Sequence, residues 1–192
     1  GMWEEALSTA QRSLELSEET LHKSGQAQSS LIIAMIQLEM GFYSQANTHA
    51  KRSNHISQAL QSTDLIGVSN YILAQIHFYV GNYSSAYNYL QQALTAAKKH
   101  DPEQYKTSIY LLFSLVLDKL NQPGKSDRIF QKAILSINEI PPPRQTECYY
   151  LMAKRQLHKE DPLAEQSIAK GDQISTNRGM WGWSLKLKAL LA

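Results

Sequence analysis

The sequence has a single cysteine and few turn-forming residues, and both shortages limit its fold and chemistry. Cys148 has no second thiol to pair with, which excludes an internal disulfide and a multi-cysteine metal site. Nine glycines and six prolines in 192 residues are too few for a chain of many short turns, so an all-β sandwich is not expected. Hydrophobic residues still make up 43% of the chain, enough for a real core, which excludes extensive disorder.

Long apolar runs and a surplus of basic residues are also missing. The longest purely apolar run, residues 31–36, is far short of the roughly 18 residues that a membrane span needs. The first five residues, GMWEE, lack the basic start of a signal peptide. Nineteen Lys and Arg against 17 Asp and Glu give no basic stripe of the kind that nucleic-acid binders carry. We therefore expect a cytoplasmic protein that binds neither nucleic acid nor membrane.

A short pattern recurs along the chain every 40 residues. Its clearest copy, GNYSSAYNYLQQAL, begins at Gly81, and further copies begin at Gly1, Gly41 and Asn121. A weaker copy begins near Lys159. Each of the first four copies has Gly or Asn, then an aromatic residue or proline two positions later, then a small residue after another three. Three equal steps of 40 identify an internal repeat.

Each copy has the properties of a junction between two helices. Gly and Asn adopt most easily the left-handed conformation that ends a helix. The aromatic residue opens the second helix, and Pro123 takes its place in the fourth copy, where a first-turn proline loses no hydrogen bond. The small residue that follows allows close packing, at Ala6, Ala46, Ala86 and Ser126. Helices are expected near 102–120, 123–139 and 145–158, among others, with the proline run 141–143 separating the last two.

The predicted fold is all-α: a right-handed superhelix of about five antiparallel helix pairs with a concave face, forming one domain over residues 1–192. The first pair has only its second helix, and residues 180–191 look like the first helix of an incomplete sixth pair. We expect a piece of a larger protein. The alternative is that the last helix closes the stack as an apolar cap.

This repeat resembles the tetratricopeptide (TPR) family over essentially the whole chain. The family pattern of Gly, aromatic, Ala, large apolar and Ala is matched best at Gly81, Tyr83, Ala86, Leu90 and Ala93. The period of 40 differs from the common 34. It resembles the longer repeats of kinesin light chains and of MalT-type bacterial regulators. The family's first-helix tryptophan is absent.

The sequence contains no recognisable catalytic or metal-binding motif. It has no Gly-rich phosphate loop, no HExxH and no GxSxG. The six histidines lack ligand spacing, and His77 is expected to be a partly buried packing residue. Cys148 has no basic neighbour that would activate it, so we expect a structural thiol. We expect a non-enzymatic protein that holds no cofactor and no metal.

The TPR resemblance implies that first-helix side chains line a concave groove. The candidate groove residues are Leu31, Met35, Tyr71, Gln75, Phe78, Tyr79, Leu111, Leu115 and Tyr149. This apolar set suits an amphipathic helix or an apolar peptide, although the same residues could simply pack against the next unit. Tyr71, Phe78 and Tyr79 are the expected anchors. Their helical spacing predicts that they are exposed together or buried together.

The expected function is that of a protein-interaction module or scaffold, which holds a protein or peptide segment in its concave groove. The alternative is a ligand- or peptide-sensing domain of a bacterial transcriptional or signalling regulator, because the 40-residue period resembles the repeats of such regulators. A DNA-binding, ATPase or kinase segment beside this one in the same gene would favour the sensor.

Overall fold

The described part of the protein is helical throughout. A computed structural model describes residues 2–100 and 103–191, without the side chains of residues 98–100, 103–105 and 143. Within these residues the chain forms helices and no strand. The α-helices are α1 (Met2–Glu19), α2 (Lys23–Glu39), α3 (Tyr43–Ala59), α4 (Thr63–Tyr79), α5 (Tyr83–His100), α6 (Glu103–Lys119), α7 (Pro123–Ser136), α8 (Pro142–His158), α9 (Ala164–Asn177) and α10 (Trp181–Lys188). None of the described helices combines the length and apolar character that a membrane span requires.

The helices form two compact units, which are described separately. Unit 1 contains α1–α5 and unit 2 contains α6–α10. In unit 1 each helix packs on the next, and α2 also packs on α4. In unit 2, α6 packs on α7, α8 on α9 and α9 on α10, while α8 also contacts α6 and α10. Even-numbered helices are therefore the first helices of the pairs and form a layer within each unit. The predicted all-α fold of antiparallel helix pairs is confirmed, whereas the single domain stays a prediction.

The same turn ends seven of the ten described α-helices. Among the described residues seven have positive φ, about 20 or 40 positions apart: Leu21, Gly41, Gln61, Gly81, Asn121, Glu160 and Gly179. After each of them, the next backbone N–H donates to a carbonyl five residues earlier, as from Phe42 to Gln37 at 2.8 Å. This bond and the left-handed residue define the Schellman motif. The predicted helix ends at Gly41, Gly81 and Asn121 are confirmed.

The boundaries around the proline run differ slightly from the sequence prediction. Helix α7 stops at Ser136 and continues as a 3-10 turn over Ile137–Glu139. Helix α8 begins at Pro142, three residues earlier than predicted, because proline needs no hydrogen-bond acceptor in the first turn of a helix. The predicted helix over 102–120 is α6, and residue 102 lies outside the described residues.

Replacing Gln61 with glycine is expected to stabilise the protein by about 0.5–1 kcal/mol. Gln61 is exposed and has a φ of 54°, a conformation in which a Cβ atom costs roughly 1 kcal/mol or more. Glycine removes that strain but adds entropy to the unfolded chain, which offsets part of the gain. Denaturant titration of the free energy of unfolding measures the difference.

The matched control for this variant is Gly81→Ala. Gly81 ends the equivalent turn with a φ of 81°, and a Cβ atom there would meet nothing within 4 Å. Its substitution should therefore destabilise the protein through the backbone alone, by about 1 kcal/mol. A loss of stability in Gln61→Gly would contradict the prediction.

Candidate functional site

His77 and Cys148, which the sequence analysis singled out, both have packing contacts in the structure. The His77 ring is half-buried and stacks on Tyr89 at 5.2 Å between centroids, and burial, with a smaller effect of Lys51, lowers the histidine pKa. Cys148 is buried beside the Ser108 hydroxyl, and burial raises the pKa of its thiol to about 12. A thiol with so high a pKa is a poor nucleophile at neutral pH. Among the described residues no group of three or more His, Cys, Asp or Glu could hold a metal ion.

Most of the predicted groove residues are in the core. Six of the nine are buried: Leu31, Tyr71, Phe78, Leu111, Leu115 and Tyr149. The first helices pack side by side within each unit, so these positions face neighbouring helices. As a correction to the sequence analysis, these six residues do not line an open surface.

The three expected anchors are neither all buried nor all exposed. Tyr71 and Phe78 are each 7% exposed, whereas Tyr79 is 38% exposed. Consecutive residues of an α-helix point about 100° apart, so Phe78 turns toward the core while Tyr79 turns toward solvent. The prediction that the three share one environment is wrong.

The remaining three predicted residues lie on the surface of unit 1. Met35 on α2 and Gln75 on α4 occupy the same repeat position, 40 residues apart, and Tyr79 follows Gln75 by one helical turn. Met35 and Tyr79 are exposed and Gln75 is half-buried. Tyr43, the first residue of α3, stacks on Tyr79 with 5.9 Å between ring centroids and 10° between ring planes. These four residues are called the α2–α4 strip below.

Aromatic contacts hold the Tyr79 ring from two sides. Tyr43 covers one side, and the Phe78 ring meets Tyr79 edge-on with centroids 5.7 Å apart. Phe78 in turn lies 5.9 Å from the Tyr83 ring. The Tyr79 side chain is therefore fixed before any partner arrives. From the sequence, Tyr43 was interpreted only as the residue that opens α3. Its position directly after the turn that ends α2 was the sequence feature that indicated a location beside the strip.

At the equivalent repeat positions, unit 2 has a buried charge cluster and not an exposed strip. The repeat position of Met35 and Gln75 holds Leu115 and Arg155 in unit 2, and both are buried. The Arg155 guanidinium donates to the Asp118 carboxylate at 3.0 Å through Nε and to the Asp127 carboxylate at 2.5 Å through Nη2. It also donates to the Ser126 hydroxyl at 2.9 Å and lies 4.2 Å from the centre of the Phe130 ring. Lys159 approaches Asp118 at 3.2 Å. These contacts join α6, α7 and α8.

A basic and aromatic surface lies on α8 and α10 of unit 2. The Tyr150 and Trp183 rings meet edge-on at 5.8 Å. The Lys154 ammonium lies 5.8 Å from the centre of the Tyr150 ring, and the Lys186 ammonium lies 4.7 Å from that of Trp183. Burial lowers the pKa of Lys154, and the charges of Lys119 and Lys186 add to this effect. The first-helix surface of unit 2 thus differs in charge from that of unit 1.

Comparison with known proteins identified no relative of this chain. No family model matches the chain, and no curated protein is significantly similar to it in sequence. The class that the structure defines is an all-α protein of repeated antiparallel helix pairs, and the TPR resemblance stays a prediction.

Proposed function

We propose that unit 1 is a non-enzymatic protein-interaction module that holds a segment of another protein on the α2–α4 strip. The observation that carries this proposal is the exposed Tyr79 ring, which is fixed between Tyr43 and Phe78 on two packed helices. A ring that is already ordered loses little entropy on binding, and tyrosines in such places are frequent hot spots of protein interfaces.

The composition of the strip favours an apolar or amphipathic segment as the partner. Met35 supplies a flexible, polarizable side chain that adapts to different apolar surfaces. Gln75 supplies an amide that can exchange hydrogen bonds with a peptide backbone. The strip itself carries no charge, and Glu39, one turn after Met35, is exposed at its border. A helix that docks by an apolar face matches this arrangement.

Replacing Tyr79 with alanine is expected to weaken partner binding by about 30-fold, since truncation of a hot-spot aromatic commonly costs about 2 kcal/mol. A photo-reactive amino acid at position 79 would first capture the partner in cells for identification by mass spectrometry. Calorimetry with the purified partner would then compare wild type with the variant. The helical signal in circular dichroism should stay the same, because Tyr79 is partly exposed.

The matched control is Leu135→Ala, on α7 of unit 2. Leu135 is 81% exposed, so its loss should change neither the fold nor partner binding. Unchanged affinity in Tyr79→Ala would contradict the proposed site. Capture of a small molecule or a short free peptide at position 79 would instead favour the ligand-sensing alternative.

A further inference from the structure

Three lysines of unit 2 lie close together on its first helices. Lys119 is the last residue of α6, Lys154 is on α8 and Lys186 is on α10. Helix α8 packs on α6 and on α10, whereas the described residues of α6 and α10 do not pack on each other, so α8 lies between them. Burial, with smaller effects of the Lys119 and Lys186 charges, lowers the pKa of Lys154. The three ammonium groups therefore form one cluster of like charge.

Two aromatic rings hold part of this cluster in place. The Lys154 ammonium lies 5.8 Å from the centre of the Tyr150 ring, and the Lys186 ammonium lies 4.7 Å from that of Trp183. The two rings meet edge-on at 5.8 Å and so join α8 to α10. A ring face attracts a cation within about 6 Å of its centre. The three lysines and the two rings are called the lysine–aromatic surface below.

Two carboxylates near this surface are bound by other cations. Asp118 directly precedes Lys119, but its side chain is 2% exposed and binds Arg155 at 3.0 Å. Asp172 on α9 approaches the Lys188 ammonium at 3.4 Å. Like charges that are held close together raise the free energy of a protein, and an anion among them lowers it. The cluster therefore favours the binding of a negatively charged group.

The distribution of the lysines indicates which kind of anion fits. Packed helices lie about 8–10 Å apart, so three neighbouring helices distribute these lysines over about 16–20 Å. Lysine also lacks the planar fork by which arginine binds a single carboxylate or phosphate. An extended peptide fits better, because its alternate residues lie on one face about 7 Å apart and can present a row of carboxylates. The Tyr150 and Trp183 rings offer apolar surface to the aliphatic parts of such side chains.

We propose that the lysine–aromatic surface binds an extended acidic segment of another protein through the carboxylates of its side chains. Opposite charges across such a contact also speed the encounter and select the partner. The surface belongs to unit 2 and shares no residue with the α2–α4 strip. The proposal therefore goes beyond the proposed function, and either can fail without the other.

Titration of the full chain with an acidic peptide at low ionic strength tests the proposal. The probe is a peptide of about 10 residues in which glutamate and alanine alternate, so that its carboxylates share one face when it is extended. Acetylated and amidated ends leave the side chains as its only acidic groups. We expect saturable binding and, by NMR of the lysine side chains, a rise in the pKa of Lys154, because nearby carboxylates favour the ammonium form. The same peptide with glutamine in place of glutamate should not bind.

Variants of the lysines show where the peptide binds. Lys119→Glu and Lys186→Glu should each weaken binding about 10-fold, since each replaces an attraction with a repulsion. Lys154→Met removes the charge but keeps an unbranched apolar side chain beside Tyr150, so it should weaken binding while circular dichroism stays as in wild type. The matched control is Lys132→Glu, at an exposed position on α7. It changes the net charge as much as the first two variants do and should bind the peptide as wild type does.

Each alternative gives a different result. Absence of binding up to millimolar peptide overturns the proposal, and so does equal affinity of the control and the three lysine variants. Inorganic phosphate that raises the pKa of Lys154 where the peptide does not would identify a phosphate site. A single-stranded oligonucleotide that binds more tightly than the peptide would identify a nucleic-acid surface. Either of these two results also overturns the proposal of an acidic protein segment.

Discussion

Replacing Arg155 with alanine is expected to lower the free energy of unfolding of unit 2 by about 3–5 kcal/mol, because removing one partner leaves a buried charge uncompensated. The Asp118 side chain is 2% exposed and would keep only its contact with Lys159. The lost guanidinium would also leave a gap against the Phe130 ring. Denaturant titration gives the size of the loss. Hydrogen exchange of peptides from α6–α8 shows whether it falls in unit 2.

A double variant separates the lost charge pair from the lost packing volume. Arg155→Met combined with Asp118→Leu removes both charges and keeps much of the side-chain volume. The double variant should therefore recover most of the stability that Arg155→Ala loses. Asp127 is 62% exposed and can be solvated without its partner. A loss below about 1 kcal/mol in Arg155→Ala alone would mean that water solvates the cluster and that the guanidinium does not hold the three helices together.

Phe78→Ala and Tyr79→Ala should differ sharply in stability although the residues are adjacent. Phe78 is 7% exposed, and truncating a buried phenylalanine costs about 3–5 kcal/mol through lost burial and the cavity that remains. Tyr79 is 38% exposed and should lose about 1 kcal/mol or less from its ring contacts. Thermal unfolding of both variants measures the difference.

This pair of variants also tests the assignment of the two rings to different roles. Equal destabilisation would show that the rings of Tyr43, Phe78, Tyr79 and Tyr83 act as one packing unit. The α2–α4 strip would then lose its main anchor. Leu73→Ala, at a position 1% exposed on the same helix, provides a scale for full burial in α4. It should cost about 2–5 kcal/mol.

The sequence was sufficient to predict the helices and three of the seven described left-handed turns, because local chemistry decides these features. Gly41, Gly81 and Asn121 end helices in the conformation that their residue types favour. Leu21 and Gln61 adopt the same conformation and could not be predicted, because packing of the flanking helices imposes it against their preference.

Exposure of the candidate site could not be predicted from the repeat. Ile32 and Ile72 are the same residue at the same repeat position, yet Ile32 is half exposed and Ile72 is buried. The difference depends on which neighbouring helix covers each position, and no local pattern contains that information. For the same reason Tyr71 and Leu115 looked like surface candidates although helix-to-helix packing buries them.

Equivalent Schellman turns divide the chain into segments of about 40 residues, each of which contains two helices. Removing a 40-residue segment between two equivalent turns, such as residues 42–81, would join α2 directly to α5. A first helix would then still be followed by a second helix, and the two would still form an antiparallel pair. Removing 20 residues would join two helices of the same kind and bury the wrong faces. A gene of this design therefore tolerates gain or loss of whole 40-residue segments better than any shorter change, which favours length variation by duplication.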